Sequence, residues 1–276
     1  MPARISVIIP CYNQGHFLKD TLDSLATCDP SLYEAIIVND GSTDSYTNEY
    51  LQQLSGQGYN VIHRENGGLC AARNTGIKAS NGEFVIMLDS DNKIRPAYLT
   101  KGLGAMDKFP DVMVVFGNAM YFGDLTGLRK QEPFNLQKQL LTNYIDACGM
   151  IRKTVFETTG LYDEKMREGW EDWEMWLRIG LAGFRFYYID DVLYDYRVRK
   201  DSMSRSVYHN KEKTNRVENY IYNKYPDKIG IQYVTDFMID RFRRNPIGFL
   251  VKLFMRAYWP SRYRKLLKEN KIRNGL

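Results

Sequence analysis

The chain has 276 residues, of which 44% are apolar and 26% are charged, as in folded globular proteins. This composition excludes general disorder, and the length is sufficient for one large domain, or for one domain with an appendage. The formal net charge is +5, but residues 240–276 contain eleven Lys or Arg and two acidic residues, a net charge of +9. The rest of the chain therefore has a net charge of −4.

The first ninety residues alternate between strand-like and helix-like patterns. Short β-branched apolar runs predict strands at residues 5–10, 35–38, 61–63 and 83–88. Apolar residues at helical spacing predict helices at 16–25, from an N-cap at Ser42 or Thr43 through Leu54, and at 69–79. Strands and helices that alternate over short connections favour a mostly parallel sheet with helices on both faces. The predicted fold class is therefore α/β.

The second half of the chain has a less regular pattern. It predicts strands at residues 112–117, 147–151, 185–188 and 193–196, and a helix at 171–181. Beyond Tyr208 the pattern is helical and basic to the end. We therefore expect an α/β domain at residues 1–208 and a basic helical extension at 209–276.

The cysteines and the hydropathy of the chain indicate in which cellular compartment the protein is expected. The four cysteines are scattered and lack the spacing of a zinc site, which favours the reducing cytoplasm over a disulfide framework. The short apolar run at the N-terminus predicts a buried strand rather than a signal peptide. No uncharged apolar stretch reaches about 18 residues, so no transmembrane helix is predicted.

Polar residues follow three of the predicted strands, at the edge where open α/β sheets bind ligands. They begin at Tyr12, Asp40 and Asp89. The first strand is followed by neither a dinucleotide fingerprint nor a phosphate-binding glycine loop. Asp89 and Asp91 can point to the same side, and a divalent cation would relieve their mutual repulsion. The same residues are also ordinary in a solvated turn, so this motif alone leaves both interpretations open.

Six sequence blocks together resemble glycosyltransferase family 2. They are ISVIIPCYN at 5–13, VNDGSTD at 38–44, NGGLCAARNTG at 66–76, LDSD at 88–91, GWEDWEMWLR at 169–178 and YRVRKDSMS at 196–204. Their order and spacing are similar to those of the family over residues 3–205. The resemblance implies a GT-A fold, a nucleotide-sugar donor, inversion at the anomeric carbon, and bound Mn²⁺ or Mg²⁺.

The resemblance also implies roles for individual residues. Asp40 would accept a hydrogen bond from the nucleotide base, which suits the imide N–H of uracil. Asp91 would bind the metal directly, Asp172 would be the general base, and Glu171 beside it would hold the acceptor. The other residues assigned to the nucleotide-sugar site are Pro10 and Tyr12 at the base, Arg73 at the nucleotide pocket, Asp89 at the ribose and the metal, and Ser90 between the two aspartates.

One position departs from the family's pattern. The chain has Arg199 where the family often has the histidine of a Tyr-Arg-x-His block. A histidine can serve as a further metal ligand, whereas a guanidinium has no lone pair to offer. Arg199 is therefore predicted to clamp the diphosphate of the donor, and the third metal ligand stays open.

The C-terminal segment combines apolar and basic residues. Residues 246–259, PIGFLVKLFMRAYW, place Lys252 and Arg256 beside an apolar face, and further Lys and Arg flank them. This composition is typical of a helix that lies on an anionic membrane surface. The alternative is a helix that covers the catalytic domain or a partner subunit. No nucleic-acid partner is expected, because the body is acidic and no nucleic-acid-binding module is recognised.

These observations lead to one expected function and two alternatives. We expect an inverting, metal-dependent enzyme that moves a sugar from a nucleotide-diphosphate donor, a UDP-sugar, to a hydroxyl of a glycan or lipid-linked acceptor. It would act in cell-surface polysaccharide or glycoconjugate synthesis, in the cytoplasm or peripherally on the cytoplasmic face of the membrane. The first alternative is a non-catalytic nucleotide- or glycan-binding module of the same fold. The second is a nucleotidyltransferase, which would normally have a glycine-rich phosphate loop after the first strand.

Overall fold

The computed structural model describes residues 3–200, 202–203, 206–207, 210–229, 238–239 and 241–268. Packing divides the chain into two units, Met1–Val217 and Glu218–Leu276. The boundary expected after Tyr208 falls on a residue outside the described ones, and it stays a prediction.

The first unit contains the sheet and most of the helices. Its strands are β1 (Ile5–Cys11), β2 (Tyr33–Asp40), β3 (Asn60–Arg64), β4 (Phe84–Met87), β5 (Lys93–Ile94), β6 (Val112–Gly123), β7 (Gly127–Arg129), β8 (Met150–Arg152) and β9 (Arg185–Val198). Its helices are α1 (Gly15–Leu25), α2 (Ser45–Gly56), α3 (Leu69–Ala79), α4 (Pro96–Lys108), α5 (Leu136–Gln139), α6 (Val155–Thr159) and α7 (Glu171–Leu181). The helices that follow are α8 (Lys211–Lys224), which crosses the division, then α9 (Pro226–Ile229), α10 (Pro246–Tyr258) and α11 (Pro260–Lys268).

The strands form one mixed sheet in the order β3-β2-β1-β4-β8-β6-β9-β5, with β7 paired to β6. The first four strands in this order pair in parallel. The short strand β8 pairs antiparallel with β4 and with β6, and the long strands β6 and β9 pair in parallel. The predicted α/β class is confirmed, and each antiparallel pair includes at least one strand from the part of the chain where the sequence pattern is irregular.

Burial on both faces explains the continuous apolar runs of the central strands. Ile5, Val7 and Ile9 belong to a core that α1, α2 and α4 share. Ile8 points to the opposite face, where α3 packs so closely that a side chain on Gly76 would overlap it. Helices on both faces hold the carboxyl ends of β1, β2 and β4 at one edge of the sheet.

Some of the predicted boundaries are wrong. Neither Ser42 nor Thr43 caps α2, because Asp44 is the N-cap and accepts a hydrogen bond of 2.8 Å from the backbone N–H of Thr47. The strands predicted at 185–188 and 193–196 form the single strand β9, since β6 offers a partner along its whole length. The strand predicted at 147–151 begins only at Met150. Helix α4 has no predicted counterpart.

In the second unit, α10 and α11 pack together around an apolar groove. The side chain of Asn245 caps α10 by accepting a hydrogen bond of 2.9 Å from the backbone N–H of Gly248. Several large apolar side chains of α10 remain exposed, including Ile247 at 77% and Tyr258 at 70%. The groove is lined by Leu250, Val251, Phe254, Met255, Trp259, Arg262 and Leu266. Among the described residues, every helix is too short or too polar to cross a membrane.

Candidate active site

A cavity of about 600 Å³ opens in the first unit, at the carboxyl ends of β1, β2 and β4. It brings together every residue that the sequence assigned to the site, although they come from positions 10 to 199 of the chain. These residues are Pro10, Tyr12, Asp40, Arg73, Asp89, Ser90, Asp91, Glu171, Asp172 and Arg199. Their common location is a finding, and their individual roles stay predictions.

Asp40 closes one end of the cavity as a buried carboxylate. Its oxygens accept hydrogen bonds from the backbone N–H groups of Gly67 at 3.1 Å and Gly68 at 2.8 Å. Arg64 forms an ion pair with the same carboxylate. A carboxylate offers about four lone-pair positions, and these three contacts leave one for a further donor. Asp40 can therefore accept a hydrogen bond from a ligand while its own position is fixed.

The loops after β1 and β2 are tied to each other at this end. Asn13 has a left-handed backbone with φ of 53°, and its side-chain oxygen accepts hydrogen bonds from the backbone N–H groups of Thr43 at 2.8 Å and Asp44 at 2.9 Å. A left-handed conformation is tolerated by asparagine better than by most residues. Tyr12, beside it, is 45% exposed at the rim of the cavity.

The Asp89-Ser90-Asp91 turn forms the floor of the cavity and is fixed from two sides. The hydroxyl of Ser90 donates to the side-chain oxygen of Gln14 at 2.7 Å, and the hydroxyl of Thr21 donates to the carbonyl of Ser90 at 2.9 Å. From the other side, Nε of Arg197 donates to the carbonyl of Asp91 at 3.0 Å. Helix α1 and strand β9 therefore set the direction of both aspartates.

Both aspartates of this turn have raised pKa values. Burial raises the pKa of Asp89 to about 6, with Asp146 and Asp91 as further causes, although Arg73 acts in the opposite direction. Burial also raises the pKa of Asp91, against the lowering effect of Arg199 and Arg197. In both carboxyls the effect of burial outweighs that of the neighbouring guanidinium groups. The turn fits a divalent cation that has one or two carboxylate ligands and takes its other ligands from a phosphate and from water.

Arg73 lies at the cavity wall as the centre of an ion-pair cluster. Its side chain is 1% exposed, pairs with Glu171, and lies 2.8 Å from Asp89. The guanidinium also lies over the ring of Tyr162, with its carbon 5.3 Å from the ring centroid. Arg73 joins α3 to the end of β4 and to the start of α7, because its Nη atoms contact the carboxylates of Asp89 and Glu171.

Asp172 is the half-buried carboxylate at the first turn of α7. Its Oδ1 accepts hydrogen bonds of 2.8 Å from the side chain of Asn143 and from the backbone N–H of Trp173. Burial raises the pKa of Asp172 well above its ordinary value, and the nearby carboxylates of Glu171 and Asp146 raise it further. A carboxylate with a raised pKa holds a proton more readily, which suits a group that must accept one.

The tryptophans around Asp172 have different roles. Trp170 lines the cavity beside Glu171, whereas Trp173 and Trp176 are 1% and 0% exposed in the core. Trp170 differs because it precedes the helix, in a left-handed conformation with φ of 60°. The three-residue spacing of the tryptophans therefore does not predict which of them line the cavity and which lie in the core.

The far wall of the cavity consists of residues that the sequence analysis missed. Arg129 pairs with Asp146 at 2.9 Å and lies over the ring of Tyr196, with its carbon 5.4 Å from the ring centroid. Asn143 orients Asp172 from the same wall. Arg129 and the segment that contains Asn143 and Asp146 have no periodic pattern, and only the tertiary pairing brings them to the site. The other missed lining residues include Tyr121, Leu125, Arg197, Ser202 and Met203.

A family model described as glycosyl transferase family 2 matches residues 6–160, more than half of the chain. The match contains β1 to β4, the Asp89-Ser90-Asp91 turn and Arg73, which form most of the cavity's sheet edge. The chain belongs to glycosyltransferase family 2. The family resemblance that the six sequence blocks indicate is thereby confirmed.

Curated relatives of this family 2 chain are also described as glycosyltransferases. Glycosyltransferase GlyA of Streptococcus pneumoniae is 29% identical over 224 residues, which cover 73% of this chain and 32% of GlyA. The putative teichuronic acid biosynthesis glycosyltransferase TuaG of Bacillus subtilis is 30% identical over 216 residues, which cover 76% of this chain and 85% of TuaG. This family 2 chain therefore matches about a third of GlyA and most of TuaG.

Solved structures of S. aureus TarS have a similar fold. TarS 1-349 in complex with UDP-GlcNAc superposes with a TM-score of 0.60 at 24% sequence identity, over 73% of this chain and 60% of that one. The complex of TarS 1-349 with UDP superposes with a TM-score of 0.56 at 20% identity. At these identities the likeness supports the α/β GT-A fold of this family 2 chain.

Proposed function

We propose that this protein transfers a sugar from a nucleotide-diphosphate donor to a hydroxyl group of an acceptor, with inversion at the anomeric carbon. The observation that supports it most is that one cavity contains the buried carboxylate of Asp40, the acidic turn at Asp89 and Asp91, and a carboxylate with raised pKa at Asp172. These groups correspond to the three requirements of the reaction: binding of the base, stabilisation of the diphosphate, and removal of a proton.

Asp172 is the proposed general base. An acceptor hydroxyl is a poor nucleophile, and a carboxylate that takes its proton during attack contributes about 10²–10⁴-fold. Inversion needs one such base and no covalent sugar intermediate. Asn143 holds the carboxylate in place. We assign Glu171 and Arg73 to positioning, since their ion pair fixes the first turn of α7 on which Asp172 lies.

A UDP-sugar is the proposed donor. The lone-pair position that remains on Asp40 suits the imide N–H of uracil, and Pro10 and Tyr12 line the cavity at the same end. The TarS structures with UDP-GlcNAc and with UDP support this donor class by similarity of fold.

A divalent cation, Mn²⁺ or Mg²⁺, is the proposed cofactor, with Asp91 as its direct ligand and Asp89 beside it. No group of three or more His, Cys, Asp or Glu residues suited to a metal occurs in the part of the chain that the structure describes. A cation with few protein ligands would complete its shell with phosphate oxygens and water. When bound, it would stabilise the negative charge on the departing diphosphate. Arg199 would contact the same diphosphate.

The proposed acceptor is a glycan or a lipid-linked glycan in cell-surface polysaccharide synthesis. The name of the TuaG relative supports this class of product. A lipid-linked acceptor also gives a role to the exposed apolar side chains of α10, which Lys252 and Arg256 accompany. We propose that this helix and α11 lie against an anionic membrane surface, where apolar burial and opposite charge act together.

Calorimetric titration with UDP, GDP and dTDP, each with and without Mn²⁺, tests the donor. We expect UDP to bind most tightly, with binding lost in chelator and in Asp91→Asn. Asp172→Asn should bind UDP as the wild type does and lose turnover, which separates an enzyme from a binding module. Turnover that persists in Asp172→Asn would refute the assignment of the base. Absence of binding for all three nucleotides would refute the donor and favour the non-catalytic module.

A further inference from the structure

Asp91 is already paired with a cation that belongs to the protein. Its Oδ2 lies 3.0 Å from Nε of Arg199, and the two side chains are only 13% and 18% exposed. The guanidinium of Arg199 also lies over the ring of Phe17, with its carbon 4.6 Å from the ring centroid. Contacts with a carboxylate and with an aromatic ring together hold the guanidinium beside Asp91.

Arg197, near the end of β9, strengthens the positive field at this point. Nε of Arg197 donates to the carbonyl of Asp91 at 3.0 Å, and its backbone N–H donates to Oδ1 of Asn92 at 2.9 Å. Like charges repel strongly at short range in a partly buried site. A metal cation that approaches Asp91 therefore meets repulsion from both guanidinium groups, and Arg199 holds one oxygen of the only carboxylate proposed as its direct ligand.

We propose that Arg199 competes with the divalent cation for Asp91, so that the cation binds the protein only together with the nucleotide diphosphate. The inference rests on the proposed function, because it concerns the same donor site. Mg²⁺ and Mn²⁺ lose water reluctantly and bind weakly to a single carboxylate whose charge is already compensated. A diphosphate brings the missing negative charge, and it attracts the metal and Arg199 at the same time. Arg199 thereby makes metal binding conditional on the donor.

Titration of the full chain with Mn²⁺ in the absence of nucleotide tests this competition. We expect Arg199→Met to bind Mn²⁺ about tenfold more tightly than the wild type does, because the competing charge is removed while no ligand is added. Arg199→Lys, which keeps the charge, should remain close to the wild type. The matched control is Lys101→Met, which removes the same charge from an exposed ion pair with Asp191 and should leave the Mn²⁺ affinity unchanged.

A second titration with Mn²⁺, at saturating UDP, tests the coupling. We expect UDP to increase the Mn²⁺ affinity of the wild type by a larger factor than that of Arg199→Met. Adding Asp91→Asn to Arg199→Met should abolish the tighter Mn²⁺ binding that Arg199→Met produces. This result would assign the tighter binding to the carboxylate of Asp91. Arg199→Gln also removes the charge and repeats the comparison if Arg199→Met does not fold, as judged from its thermal melting.

Two results would overturn the proposal. One is a wild-type protein that binds Mn²⁺ without nucleotide as tightly as Arg199→Met does. The other is an equal increase of Mn²⁺ affinity in Lys101→Met, which would show that the increase comes from the change in net charge. Failure of UDP to bind the wild type would refute the donor instead. The Mn²⁺ titrations of the wild type and Arg199→Met without nucleotide would still test the competition by Arg199. Failure of this proposal and failure of the proposed donor are therefore distinguishable.

Discussion

Asp172 is a residue whose effect on folding opposes the catalytic role that we propose for it. Burial and the neighbouring carboxylates raise its pKa well above the ordinary value, so the folded state binds the proton more tightly than the unfolded state does. The stability that Asp172 contributes is therefore lost as the pH rises through its folded-state pKa. Above that pKa the ionised carboxylate destabilises the fold.

We expect Asp172→Asn to be more stable than the wild type at pH 8 while its turnover falls by about 10²–10⁴-fold. The gain in melting temperature should shrink as the pH is lowered, because Asp172 then becomes neutral in the wild type as well. Thermal melting from pH 4 to pH 8 measures this difference. An asparagine variant that is less stable than the wild type at pH 8 would contradict the assignment of Asp172 as a destabilising charge.

Asn143 is expected to control the pH at which the base works. Its hydrogen bond of 2.8 Å stabilises the ionised form of Asp172, so Asn143→Ala should raise the pKa further. A general base acts only when deprotonated. The acid limb of the kcat/KM profile should therefore shift to higher pH in Asn143→Ala, with a smaller change at the high-pH plateau. Asn60→Ala, at an exposed position of β3, is the control whose profile should match that of the wild type.

The residues of the site differ in how far the sequence predicts them. The residues of the site that lie in short blocks, such as Asp40 and Asp91, can be predicted because the blocks match a family pattern in order and spacing. Asn143 and Asp146 could not be predicted, since they act through contacts with residues distant in the chain. The assignment of Arg73 to the nucleotide pocket stays a prediction, and no pattern in the sequence indicates its ion pairs with Glu171 and Asp89.

At the scale of elements, the ion pairs of Arg73 hold α3, α7 and the end of β4 together. Removal of a buried cation leaves its carboxylate partners without compensation, which typically costs about 3–5 kcal/mol. We expect Arg73→Leu to lose stability of about this size in denaturant unfolding. The double variant Arg73→Leu/Glu171→Leu should recover part of the loss, since it also removes one buried negative charge.

The control for this measurement is Lys19→Met, which breaks an exposed ion pair between positions 19 and 23 of α1. Exposed pairs contribute little because water screens them, so we expect no measurable change. Losses that simply add in the double variant would contradict direct coupling between Arg73 and Glu171.

The elements that the sequence predicts best are those with strong local signals. Helices α3 and α7 have the predicted bounds, Leu69–Ala79 and Glu171–Leu181, because their apolar periodicity is clear and their ends coincide with polar or glycine residues. The sequence predicts two strands where the structure has the single strand β9, because Asp190 and Asp191 interrupt the apolar pattern. Pairing of this kind depends on a partner strand far away in the chain, which no local pattern records.

At the scale of the whole molecule, we expect the full chain to bind anionic lipid vesicles. Co-sedimentation with vesicles that contain phosphatidylglycerol should exceed that with neutral phosphatidylcholine, and it should fall as salt screens the charges. The double variant Leu250→Glu/Phe254→Glu should reduce vesicle binding about tenfold or more, because it replaces two exposed apolar side chains.

Leu128→Glu is the matched control, because Leu128 on β7 is 53% exposed and Leu250 is 54% exposed. It should leave vesicle binding unchanged. The membrane proposal is refuted if the protein does not bind vesicles and instead forms a concentration-dependent dimer that Leu250→Glu disrupts. Self-association would then explain the exposed face of α10.

The parallel pairing of β6 with β9 has a consequence for how the protein folds. Val112 pairs with Arg185, 73 positions later, whereas Ile5 of β1 pairs with Tyr33, only 28 positions later. Closing a longer loop before contacts form slows folding. During synthesis the end of the cavity at Asp40 can assemble from nearby segments, but Arg199 follows β9 in the chain and can reach Asp91 only after β9 has been made. We therefore expect the contact between Arg199 and Asp91 to form late in folding.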